Sequence, residues 1–154
     1  MRRLCLLTLL AATALLPAAD WTDYRGPNRD GKSPEKNLVN DWSLDGRNLL
    51  WKAPYGGRST PVTFGNRVYL FNAAGKEDTV QERLMCFDAT TGKVVWEYFN
   101  TVFHSDAPAH RVAWSAPAVD TETGNIYVFG VDGHLIAEDK NGKKAWDQIG
   151  RAHV

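Results

Sequence analysis

The chain has 154 residues, 18 Lys and Arg against 18 Asp and Glu, and 44% hydrophobic residues, which bounds it to one ordinary soluble domain or a piece of a larger one. Its balanced charge lacks the basic surplus that favours nucleic acid, so no nucleic-acid partner is expected.

Residues 1–19, MRRLCLLTLLAATALLPAA, place two arginines before an apolar run over 4–16 and end in small residues, the layout of a secretory signal peptide. The run is too short to span a bilayer comfortably, so the expectation is export to the periplasm or the extracellular space, with no transmembrane span. Pro17 stands where a small residue is preferred if cleavage follows Ala19. Removal of the signal leaves Cys86 as the only cysteine, which forbids an internal disulfide, and its apolar setting predicts a buried thiol.

Residues 20–48 contain WTDYRGPNRDGKSPE, dense in Gly, Pro, Asn and Asp and without helical or strand periodicity; they are expected to form an extended N-terminal arm. From residue 49 the pattern changes to short apolar runs separated by turn signals, as in an all-β protein. STPVTFGNRVYLFN at 59–72 matches SAPAVDTETGNIYVFG at 115–130: Ser, one residue, Pro, a short strand, a Gly-Asn turn and a strand with Tyr at its centre. In KVVWEYF, Val94, Trp96 and Tyr98 alternate with Val95, Glu97 and Phe99, so the two sets face opposite sides of a strand. RVYLF and IYVF are apolar on both faces, as inner strands between packed sheets require. VDGHL at 131–135 predicts a two-residue Asp-Gly hairpin, whereas NAAGKEDTVQE at 72–82 predicts a longer polar tip on a rim where function collects.

CFDATTGKVVW at 86–96 is nearly repeated by AEDKNGKKAW at 137–146. Asp and Thr side chains can cap a tight reversal, and Gly supplies the left-handed backbone it needs, but a local turn does not require the Trp that follows. Trp51, Trp96 and Trp146 recur at intervals of 45 and 50 residues. A period of about 40–50 with four strands per unit is that of β-propeller blades.

On these residues the chain resembles the family of pyrroloquinoline-quinone (PQQ) like repeat propellers, exported bacterial proteins related to the outer-membrane assembly propeller. Asp88, Thr91, Gly92, Lys93 and Trp96 match the family's D-x-x-T-G-K-x-x-W motif, in which the Trp docks between neighbouring blades. Asp139, Gly142, Lys143 and Trp146 match it with Asn141 in place of Thr and a turn one residue shorter. DYRGPNRDGKSPE, LLWKAP and FHSDAPAHRVAWSAPAVDTETGNIYVFG carry the likeness from Trp21 to Trp146. The resemblance implies an all-β propeller whose full ring has about seven or eight blades. Residues 49–148 would be an N-terminal part of it, with two recognisable four-stranded blades and a closing strand in NLLWKAPYG. The last six residues, IGRAHV at 149–154, are what a common short-read sequencing adapter encodes in one frame, and they are expected to be adapter read-through.

Three functions are compatible with this resemblance. The favoured one is a non-catalytic exported scaffold whose rim binds protein or another macromolecule, because each distinctive residue above explains a ring and none explains turnover. The second is a PQQ-dependent quinoprotein dehydrogenase acting on an alcohol or sugar, which would need PQQ with calcium, a general base and, typically, a vicinal Cys-Cys pair. The stretch shows no such pair, and no cofactor is evident in it. The third is an extracellular sensor propeller. His104, Asp106 and His110 in FHSDAPAH are weak candidates for metal ligands, since no strand or helix fixes their directions; a polar loop between blades is the stronger reading. No catalytic residue is assigned: Asp88 and Asp139 are read as turn caps, His134 as a solvated residue after a turn, and Arg25 and Arg29 as a solvated loop before an anion site.

Overall fold

The computed structural model describes residues 19–76, 79–102 and 111–150. Eight strands form in chain order: β1 (Val62–Phe64), β2 (Arg67–Ala74), β3 (Gln81–Asp88), β4 (Val94–Thr101), β5 (Ala118–Val119), β6 (Ile126–Phe129), β7 (His134–Glu138) and β8 (Lys144–Ile149). They make two four-stranded antiparallel sheets, ordered β1-β2-β3-β4 and β5-β6-β7-β8. The two sheets are blades of the same design. In the first, Cys86 lies opposite Trp96 and Phe87 opposite Val94, so Val95 is bulged out of the ladder. In the second, Ala137 lies opposite Trp146 and Glu138 opposite Lys144, which bulges Ala145 at the equivalent place. A bulge increases local twist and re-aims the side chains beside it, here immediately before each repeated tryptophan.

The core lies in the seam between the sheets. Tyr69 and Phe71 from β2, Leu84 and Cys86 from β3, Ile126 and Val128 from β6 and Ile136 from β7 are buried together, with Trp96 and Tyr98 of β4 packed against them. Two apolar faces on the inner strands explain the arrangement: one face completes a blade's own packing and the other meets its neighbour. Cys86 is the buried thiol expected, and burial pushes its pKa up to about 11. The Ser-x-Pro that opens each blade has a shared bond: the Ser59 hydroxyl donates to the Phe71 carbonyl, and the Ser115 hydroxyl donates to that of Phe129 at 2.7 Å.

Three local expectations differ from the structure. The start of the arm is folded rather than extended: Asp23 Oδ1 accepts from the Arg25 N–H at 2.8 Å, Gly26 and Gly31 take left-handed φ of 76° and 73°, and Trp21 pairs with Thr63 beside β1. Its Arg29 pairs with Asp23 at 3.3 Å. Residues 48–56, the expected closing strand, carry no ladder partner among the described residues, although Trp51 within them is firmly placed. The connection between β6 and β7 takes in four residues, 130–133, instead of the two-residue Asp-Gly hairpin. The hairpin closes one residue earlier than expected, the Gly130 N–H donating to the His134 carbonyl at 2.7 Å, while the Val131 N–H donates to a carboxylate of the other sheet.

All six residues of the edge strand β8 are exposed, Trp146 at 41% and Ile149 at 60% among them, and Phe129 and Leu135 add apolar surface beside it. At raised concentration the 154-residue chain should self-associate through this edge strand, as read by light scattering. Replacing Trp146 and Ile149 together with lysine should suppress the association; association unchanged by that pair would place the sticky surface elsewhere.

Candidate functional site

Each repeated turn is built around its aspartate. Asp88 Oδ1 accepts from the Thr90 N–H at 3.1 Å, the Thr91 N–H at 2.8 Å and the Thr91 hydroxyl at 2.9 Å, while its Oδ2 accepts from Asn66 at 2.9 Å and pairs with Arg67 at 3.3 Å. These donors, the Thr91 backbone foremost, hold the Asp88 carboxyl below its usual pKa. The Asp88 N–H donates to the Lys93 carbonyl at 2.9 Å, and Gly92 closes the loop onto the Asp88 carbonyl at 2.8 Å. In the second blade Asp139 Oδ1 accepts from the Asn141 N–H at 2.8 Å and the Lys143 N–H at 2.9 Å, which likewise lowers its pKa. The missing residue is absorbed before the glycine: Gly92 and Gly142 keep left-handed φ of 69° and 77°. Lys93 and Lys143 enter the turns through their backbone carbonyls, each accepting from the turn aspartate's N–H at 2.9 Å.

The tryptophan of one repeat belongs to the turn of the next. The Trp51 indole N–H donates to the Ala89 carbonyl at 2.8 Å, and a methyl group on Gly92 would lie 2.5 Å from the Trp51 ring. The Trp96 indole donates to the Lys140 carbonyl at 3.1 Å, and a methyl group on Gly142 would lie 2.6 Å from the Trp96 ring. Both glycines are therefore required twice, for their φ and for the ring lying on them. Trp146, the third in the series, packs on Tyr127 at 5.8 Å within its own sheet.

The opposite rim holds a residue that the repeat pattern does not announce. Glu82, at the start of β3, is 0% exposed. Its Oε1 accepts from two loops of the second blade, the Ala113 N–H at 2.9 Å and the Val131 N–H at 3.0 Å, and its Oε2 receives a long bond of 3.4 Å from Asn100. Burial raises its pKa, the three donors oppose that, and Asp132 adds to it. A methyl group on Gly130 would lie 2.5 Å from Oε2, so Gly130 is what lets this carboxylate reach in. Asp132 pairs in turn with His134, Nδ1 to Oδ2 at 2.9 Å, so that His134 is engaged rather than freely solvated. The signal for Glu82 was available: it shares a strand face with Leu84 and Cys86, and a charge in line with two buried apolar positions demands a partner.

His104, Asp106 and His110 lie outside the described residues. Among the described residues no group of three or more His, Cys, Asp and Glu could hold a metal ion. The buried carboxylate Glu82 has its oxygens engaged by backbone and amide donors, Asp139 is engaged by its own turn, and Asp88 by its own turn together with Asn66 and Arg67.

Gly133 and Gly142 separate the two requirements on a turn glycine, because both have positive φ, 85° and 77°, but a methyl group meets nothing within 4 Å at Gly133. Gly142→Ala should therefore cost about 1–3 kcal/mol more than Gly133→Ala in urea unfolding, the excess being overpacking against Trp96. Equal costs would mean that backbone strain alone makes the turn glycine necessary.

A family model agrees with this architecture. The model of the PQQ-like repeat family described as "Outer membrane protein assembly factor BamB" matches residues 35–153. No curated protein matches the chain significantly. Among solved structures, a europium-containing methanol dehydrogenase is similar at 22% identity and a TM-score of 0.40, over 60% of this chain and 16% of the dehydrogenase. The chain thus spans a small part of that neighbour's length. With two equivalent four-stranded sheets, the repeated Asp-Gly turn, the indole docked on it and a family match over most of its length, the chain belongs to the PQQ-like repeat family of β-propeller proteins.

Proposed function

We propose that the chain is part of an exported, non-catalytic propeller scaffold whose rim binds protein. The observation that carries this reading is the use made of Glu82: a buried carboxylate spends its acceptor capacity holding two backbone loops of the neighbouring blade on one rim. The C-terminal ends of β2 and β4, the start of β3 and the connection at 130–133 lie at that same rim. Glu82 ties the backbone at Ala113 to that at Val131, which gives this rim a rigid base, the kind of surface on which binding residues collect. The family description, an outer-membrane assembly factor, agrees with a partner that is itself a protein. The signal-like segment at 1–19 supports export, and among the described residues no helix is long and apolar enough to cross a membrane.

The test sets the scaffold against the quinoprotein. A photo-crosslinking amino acid at Asp132 on the Glu82 rim, in an exporting bacterium, should trap a discrete protein, whereas one at Thr123 on the opposite rim should not. Titration with PQQ and calcium should show no saturable binding. Saturable PQQ binding, with no protein trapped at Asp132, would overturn the scaffold reading in favour of the dehydrogenase.

A further inference from the structure

Glu138 stands one residue before the turn aspartate of the second blade, at the register position that Phe87 holds in the first. Phe87 is ordinary there: it packs between Trp51 at 6.3 Å and Tyr55 at 5.8 Å. Glu138 is 0% exposed, on the face of β7 that it shares with Ile136 in the core of the seam, and among the described residues neither carboxyl oxygen has a hydrogen-bond partner. A buried carboxylate without donors is unfavourable, whereas a neutral carboxyl in the same place loses far less on leaving water.

The charged and titratable groups around it do not repair this. Tyr98 of β4 faces it from the first blade; Asp139 follows it in the chain; Lys144 and Asp147 lie on β8. Lys144 is turned to Asp147, Nζ to Oδ2 at 3.0 Å. Burial pushes the Glu138 carboxyl up from 4.5 to about 7, with Asp139 and Asp147 adding to the rise and Lys144 opposing it.

We propose that the seam between the two blades is a pH-sensitive contact with Glu138 as its titrating group, closed around a neutral carboxyl and loosened when that carboxyl ionises. The sign follows from linkage. An acid whose folded-state pKa is raised binds more protons folded than unfolded, so the closed seam is favoured below 4.5 and weakens as pH rises to about 7. In that window the equilibrium between closed and open seam shifts by up to about tenfold per pH unit. Glu82, whose pKa burial also raises against the opposition of its donors from both blades, adds a dependence of the same sign; left unchanged in a Glu138 variant, it is common to both chains.

Cys86 reports on the opening, since it is 0% exposed in the same core and lies opposite Trp96. In a Cys5→Ser background it is the only thiol. The rate of its reaction with 4,4′-dithiodipyridine is measured across acidic and neutral pH in the otherwise unchanged chain and in Glu138→Gln, and the ratio of the two removes the thiol's own titration. The ratio should be flat below pH 4.5 and rise more than tenfold by pH 7. A ratio independent of pH would overturn the proposal. Glu138→Phe, which copies the first blade, guards against a variant that fails to fold. If neither neutral variant protects Cys86 at pH 5, the proposal is also overturned, because a neutral side chain is what the seam is argued to accept.

Discussion

The structure depends on an indole ring lying on a glycine. A four-stranded sheet cannot bury both of its faces alone, and two sheets that merely stacked would be free to slide. The Trp96 ring on Gly142, with its N–H on the Lys140 carbonyl at 3.1 Å, fixes one sheet to a single point on the next. Trp51 does the same to the first blade at Ala89, at 2.8 Å. A large apolar surface and one directed hydrogen bond act together, so the contact supplies both adhesion and register. The turn aspartate, its threonine or asparagine and the left-handed glycine present that point of attachment.

From this contact the polar chemistry of the two rims follows. At the docking rim, Asp88 and Asp139 are only partly exposed and are held mainly by their own loops, which lowers their pKa and keeps the turns rigid under the rings. At the other rim, Glu82 is buried and occupied by the neighbouring blade, which joins the loops there to the seam. Glu138 sits between the two regimes, buried like Glu82 but without donors among the described residues. Burial raises the pKa of both glutamates, but only Glu82 has donors that hold its charged form in the closed seam.

Much of the architecture was legible because it is local and repeated. Alternation in KVVWEYF gives a strand with Trp96 and Tyr98 on its packed face, and the 45- and 50-residue spacing of the tryptophans singles out Trp51 although no strand forms around it. What escaped was set by contacts distant in sequence. The hairpin at Asp132-Gly133 is one residue longer than expected, and its Val131 N–H goes to Glu82, 49 residues away. The burial of Glu138 cannot be read from KKAW or AEDK; it arises only when β7 meets β4 across the seam. The arm's turns depend on Trp21, which fills the space beside Gly26 only once it is pinned to Thr63.

The most direct measurement is hydrogen exchange at the indole N–H groups, followed by NMR in the chain labelled at tryptophan. Trp51 and Trp96 donate to carbonyls of the following turn, whereas Trp146 is 41% exposed on an open face. The account predicts slow exchange at Trp51 and Trp96 and fast exchange at Trp146, with both slow protons released together on denaturation. Exchange at Trp96 as fast as at Trp146, in a chain whose sheets remain folded, would contradict the claim that the indole on the glycine turn holds one blade to the next.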